Sequence, residues 1–145
     1  MKPVSHSVTK FFEDYERNRE TSDPEAIGQQ YAETFMFAGP QGVQIVKKDD
    51  FLKALPQRQG FFKAVGLTLS KIKTLEETRL DEHYLLVRAD WVMQFDKNAG
   101  QLITEEISAT YMLSQQEDRL KIVLQLDHQD LVKRVQTLGL LPPKS

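Results

Sequence analysis

"HYLLVRADWVMQF", residues 83–95, is the stretch on which the fold turns. From Tyr84 the side chains alternate. Leu85, Val87, Ala89, Trp91, Met93 and Phe95 fall on one face of an extended chain, and Tyr84, Leu86, Arg88, Asp90, Val92 and Gln94 on the other. One face is wholly apolar and the other mixed, the signature of an antiparallel strand that packs one side and wets the other. A period of two also runs through residues 67–79, 102–114 and 119–127. "DKNAGQ" (96–101) and "QQEDR" (115–119) have turn composition, so the spacing predicts four long strands in an antiparallel meander.

Upstream of residue 67 the period is helical. In "SVTKFFEDYER" Val8, Phe11, Phe12 and Tyr15 fall at i, i+3, i+4 and i+7, which predicts a first helix with Ser7 as its cap. "TSDPEAIGQQYAETF" predicts a second helix ending near Thr34, capped by Ser22 or Asp23, with Pro24 in its first turn and Glu25 at capping-box spacing from Ser22. "FMFAGPQGVQIV" reads as a small hairpin, because Gly39, Pro40 and Gly42 break any helix. "KKDDFLKALPQRQGFFKAVG" predicts a third helix with Phe51, Leu52 and Leu55 on one side, broken or kinked at Pro56 and closed by Gly66. "HQDLVKRVQTLGLL" predicts a final short helix with Leu131, Val135 and Leu138 at apolar spacing and Gly139 just past its end. Helices segregated to one face of a curved antiparallel sheet make an α+β domain.

Composition narrows the function classes. A chain of 145 residues suits one domain, residues 1–145, with one core. Lys+Arg 19 against Asp+Glu 21 gives a formal net charge of -2, and "VKK" (46–48) is broken at once by Asp49 and Asp50, so nucleic acid is not an expected partner. There is no cysteine, and the three histidines stand apart at 6, 83 and 128, so no metal is expected. No segment approaches the ~20 apolar residues that span a bilayer, nor does the N-terminus carry a signal-peptide core. No membrane association and a cytoplasmic location are the expectation.

The order of elements, with "FFEDYERNRETSDPEAIGQQYAETFMFAGPQG" at residues 11–42 and a final amphipathic strand leading to "DL", resembles the nuclear-transport-factor-two-like superfamily, in particular its SnoaL-like and ketosteroid-isomerase-like branches. The resemblance covers essentially the whole chain. It implies a cystatin-like cone in which the curved sheet wraps the N-terminal helices around a central, mostly apolar pocket, and a homodimer packed through the sheet. The mixed face with Tyr84, Arg88 and Gln94 is then the candidate dimer surface. Phe12, Phe35, Phe37, Leu52, Phe61, Trp91, Thr110 and Leu126 are the expected pocket lining. Matching residues 15–42 to the ketosteroid isomerase pattern needs no gap and puts Tyr15 at that family's oxyanion-hole tyrosine. The same match puts Gly39 where its general-base aspartate sits, and Ala109 or Thr110 where its second acid sits. Steroid-type isomerisation needs a base within reach of an acidic C–H, so this chain is not expected to perform it.

Two candidates remain beside Tyr15. Arg58, just after Pro56, can reach over a pocket mouth and hold a carboxylate or similar anion. His128, in "LQLDHQDLV" (124–132), shares strand parity with Leu120, Ile122, Leu124 and Leu126, which points its imidazole toward the core, where Asp127 or Asp130 would tune it as an acid/base. Asp127 also reads as the N-cap of the last helix, with Asp130 in its first turn. Glu105 and Glu106, adjacent on a strand, point to opposite faces and cannot work as a pair. The expected function is binding of a small apolar or aromatic metabolite without a cofactor. The rivals are a cofactor-independent isomerase, cyclase or dehydratase with His128 as base and Tyr15 as donor, and a dimeric interaction module whose pocket is filled by Phe and Leu.

Overall fold

The computed structural model describes residues 4–21, 23–97, 100–117 and 119–139. In chain order these form α1 (His6–Thr21), α2 (Pro24–Gln29), β1 (Tyr31–Gly39), β2 (Gly42–Lys47), α3 (Lys48–Ala64), β3 (Leu67–Arg79), β4 (Tyr84–Lys97), β5 (Gln101–Gln116), β6 (Arg119–Asp127) and α4 (Leu131–Thr137). This is the expected α+β class. The helices pack on one side of a curved six-stranded sheet of order β2-β1-β6-β5-β4-β3. All neighbours are antiparallel except β1 and β6, which run parallel and splice the N-terminal hairpin onto the meander.

The alternation in β4 is realised in full. Leu85, Val87, Ala89, Trp91, Met93 and Phe95 are all buried, while Tyr84 and Arg88 on the opposite face are exposed. The stripe of α1 lies on this inner face with Val8, Phe11, Phe12 and Tyr15 buried. Phe12 meets Tyr15 and Tyr111 at ring separations of 5.7 and 5.1 Å. Each such aromatic contributes on the order of 2 kcal/mol by leaving water. A second cluster, Phe62, Val65, Met93, Phe95 and Val135, joins α3 and α4 to the sheet.

Several boundaries differ from expectation. α1 starts at His6, so Ser7 lies within its first turn, and Ser5 instead hydrogen-bonds Glu77 on β3 at 2.7 Å. Asp23 caps α2 by accepting from the Glu25 and Ala26 amides; the Ser22 capping box falls outside the described residues. α2 ends at Gln29, and "YAETF" is strand rather than helix. Tyr31 and Phe35 share a face at i and i+4 in either conformation, and pairing with β6 decides for the strand, with the Ile122 amide donating to the Gln30 carbonyl at 2.8 Å. α3 runs unbroken through Pro56, because Leu55 and Phe62 on either side are both anchored in the core. Gly66 closes it at φ +92, where a Cβ would stand 2.4 Å from the Asp96 carbonyl oxygen. Only glycine fits that approach.

The last turn is also corrected. Asp130, not Asp127, is the N-cap of α4, its carboxylate accepting from the Lys133 amide at 3.1 Å. Asp127 is the final residue of β6. Among the described residues no helix is long and apolar enough to cross a membrane.

Candidate functional site

Between α1, α2, α3 and the concave sheet lies a cavity of about 970 Å³. Ile27, Phe35, Phe37, Phe51, Leu55 and Phe61 supply much of its apolar wall, and Tyr15, Arg19, Tyr31, Arg58 and Gln125 face it with polar atoms. The size lies near the top of the range typical of small-molecule sites, and an apolar wall with a few converging polar groups is the usual chemistry of such sites.

One hydrogen-bonded chain organises the polar side. Arg19 Nη1 donates to Tyr15 Oη at 3.1 Å, Tyr111 Oη donates to the same oxygen at 3.4 Å, and Tyr15 and Tyr31 hydroxyls are 3.2 Å apart. Tyr31 Oη donates to Gln125 Oε1 at 2.9 Å, and Gln125 Nε2 donates to Asp127 Oδ1 at 3.2 Å. Because Tyr31 spends its single proton on Gln125, the Tyr15–Tyr31 bond must carry the Tyr15 proton. Tyr15 therefore donates once and accepts twice, and its hydroxyl is saturated inside the protein.

The helix and strand periods explain how these groups meet. Arg19 follows Tyr15 by four residues, so it extends the inward stripe of α1 by one turn. Its guanidinium stacks 5.1 Å over the Trp91 ring and 5.5 Å over Tyr15, a cation–π position. Tyr111 shares the inward face of β5 with Ala109 and Leu113. Burial pushes the Tyr31 and Tyr111 phenols well above the ordinary tyrosine value, and the neighbouring Tyr15 raises both further. For Arg19 burial opposes the charge, but Tyr15, Tyr111 and Tyr31 outweigh it and raise the pKa. Arg58 projects over the cavity with its guanidinium 5.2 Å above the Phe62 ring. Its pKa is lowered, first by desolvation and then by the Arg19 charge, with Asp127 pulling the other way.

Of the residues expected to line the pocket, Phe35, Phe37 and Phe61 do, together with Tyr15 and Arg58. The others do not form its wall. Phe12 is packed behind Tyr15, and Trp91 lies beneath Arg19. Leu52 fills the space over Gly28 of α2, where its Cδ1 would be 3.1 Å from an added Cβ. Thr110, Leu126 and His128 face outward. His128 is exposed, with Nε2 2.7 Å from Thr110 Oγ1 on the convex side of the sheet. Its parity fails because of a β-bulge: Met112 pairs with Leu124 but Leu113 with Ile122, so Val123 is an extra residue. Beyond it every side chain of β6 changes face. Gln125 and Asp127 turn inward, and Leu126 and His128 turn out.

The bulge also explains why Gln125 and Asp127 escape a parity argument. Arg19, Tyr31 and Tyr111 did carry signals: a polar residue continuing an apolar helical stripe, and two tyrosines at core spacing. Gly39 and Ala109 both lie beside Asp127. Ala109 is its direct partner across β5 and β6, and a Cβ on Gly39 would be 3.9 Å from the Asp127 Cβ. Among the described residues no group of three or more His, Asp or Glu side chains is arranged to hold a metal ion.

Residues 2–130 match the family model described as NTF2-like protein (DUF6841). The chain belongs to that NTF2-like family. Solved structures agree in fold. An NTF-2 like protein of unknown function from Shewanella oneidensis MR-1 superposes with a TM-score of 0.65 at 17% identity, covering 85% of this chain and 97% of the other. Aln2 from a Streptomyces species gives 0.71 at 13% identity over 92% and 99%. The beta subunit of the benzoate 1,2-dioxygenase from Burkholderia mallei ATCC 23344 gives 0.67 at 14% identity over 92% and 95%. At these identities the likeness is one of fold, and none of these three singles out the SnoaL-like or ketosteroid-isomerase-like branch. The comparison with curated proteins gave no match.

Proposed function

We propose that this NTF2-like chain binds a small apolar or aromatic metabolite in the cavity between helices and sheet. The observation that carries the reading is the cavity itself: about 970 Å³, walled by Phe35, Phe37, Phe51 and Phe61 and ending on the Arg19–Tyr15–Tyr31–Gln125 chain. An interior of this size is the opposite of what a filled interaction module requires. The enzyme reading has less support, since His128 is on the convex face and the Tyr15 proton is engaged with Tyr31. No cofactor is invoked.

Native mass spectrometry of the purified protein tests the reading directly, with uptake of the neutral dye Nile red as a second readout. The expected result is a co-purifying small molecule or saturable dye binding, lost in Ala54→Trp, which sets an indole into the α3 wall of the cavity. A bare protein mass together with no dye uptake by the unmodified chain refutes it. We propose in addition that copies pair through the outer sheet face, where Tyr84 is 42% exposed and Leu86, Val92 and Met112 lie on the same face. Light scattering during size exclusion should then return twice the chain mass.

A further inference from the structure

The neutral polar groups of the cavity chain are used up. Tyr111, Tyr15 and Tyr31 each spend their proton on a neighbour, and Gln125 donates to Asp127 and accepts from Tyr31. The two guanidiniums are not. Arg19 spends one N–H on Tyr15, and a guanidinium has five. Arg58 lies over an aromatic ring. Among the described residues no carboxylate oxygen comes within 4.0 Å of either. Ser70 Oγ, on the same cavity wall, is buried and has no hydrogen-bond partner. The lining carries Arg19, Arg58 and Lys63 against the one carboxylate of Glu20, and Asp127 stands nearby, which leaves the cavity with a net positive charge. Arg19 is half-buried and Arg58 exposed at the cavity mouth. A partly desolvated cation without a counter-ion costs free energy that a ligand anion recovers, and the exposed one is free to close on that anion.

Resting on the binding function proposed above, we infer that the ligand is an acid: a small aromatic or alicyclic carboxylate whose oxygens are held by Arg19 and Arg58 and whose ring lies against Phe35, Phe51 and Phe61. Planar guanidinium forks match a planar carboxylate in geometry as well as charge, which gives selectivity over a neutral ligand of the same shape.

The test is isothermal titration calorimetry of the full chain at pH 7 with two probes of one shape, 2-naphthoate and 2-naphthamide. The unmodified protein is expected to bind the naphthoate at least about tenfold more tightly than the amide, the scale of one charge-assisted contact. Arg58→Gln should weaken naphthoate about tenfold and leave the amide within about twofold. Arg19→Gln, checked for folding by circular dichroism, should do the same. Equal affinity for the two probes, or a loss in Arg58→Gln that falls equally on both, overturns the inference and leaves apolar ligand binding standing. Failure of the unmodified protein to bind either probe also overturns the inference, and the binding function itself then stands or falls on the native mass and dye uptake.

Discussion

Tyr15 stands at the centre of the cavity chain and Tyr111 at one end, so removing the two hydroxyls should have unequal costs. In Tyr15→Phe the Tyr111 proton, at a residue only 1% exposed, loses its partner at 3.4 Å. Arg19 loses an acceptor at 3.1 Å and Tyr31 a donor at 3.2 Å, though Tyr31 still donates to Gln125. One stranded buried donor costs about 1–3 kcal/mol and each of the two other lost hydrogen bonds adds about 1 kcal/mol, so the total should be about 3–5 kcal/mol. Tyr111→Phe removes a donor and strands nothing, because Tyr15 still accepts from Arg19 and donates to Tyr31; its cost should stay below about 1 kcal/mol. Urea denaturation followed through the single tryptophan, Trp91, which lies 5.8 Å from the Tyr15 ring, measures both. The expected result is a much lower midpoint for Tyr15→Phe with an unchanged slope. If Tyr111→Phe costs as much as Tyr15→Phe, the direction deduced for the chain is wrong.

Other outcomes follow from single sites. Gly66→Ala should destabilise by more than about 2 kcal/mol, since it combines a positive φ with a 2.4 Å approach to backbone oxygen; a midpoint shift of a few tenths of a kcal/mol would refute that. Asp130→Ala should cost about 1 kcal/mol by uncapping α4, whereas Asp127→Ala should leave α4 helicity intact. His128→Ala should leave probe affinity in the cavity unchanged by calorimetry, and a large loss would put the imidazole back in the site. Asp90 has its pKa lowered by hydrogen bonds from Ser108 and Thr74, so its stabilisation is present above the unfolded carboxylate value of 3.8 and lost as pH falls through the lower folded value. Asp90→Asn should therefore flatten the acid limb of the stability profile below about pH 4; an unchanged limb would contradict it.

Much of the fold is legible in local periods. The inward row of β4 from Leu85 to Phe95 and the α1 stripe from Val8 to Tyr15 need no partner to be recognised, because burial on one side imposes a period of two on a strand and 3.6 on a helix. Where a local pattern fits two states, the sequence stops short. Tyr31 and Phe35 lie on one face in both helix and strand, and the parallel pairing with β6 decides between them. Pro56 reads as a break until Leu55 and Phe62 are seen anchored in the core on either side of it.

The candidate site divides along the same line. Phe35, Phe37 and Phe61 of its aromatic wall and Arg58 could be named from residue type and position, whereas Phe51 escapes that reading and Phe12 and Trp91 are core. Of the polar chain only Tyr15 could be, because the members come from α1, β1, β5 and β6 and meet only when the sheet curls over the helix. His128 shows the physical reason most clearly. By itself the sequence determined that "LQLDHQDLV" is the end of an amphipathic strand and the start of a helix. The extra residue at Val123, visible only in the pairing of β6 with β5, exchanged the two faces: it turned His128 out to the convex surface and brought Gln125 and Asp127 into the cavity chain.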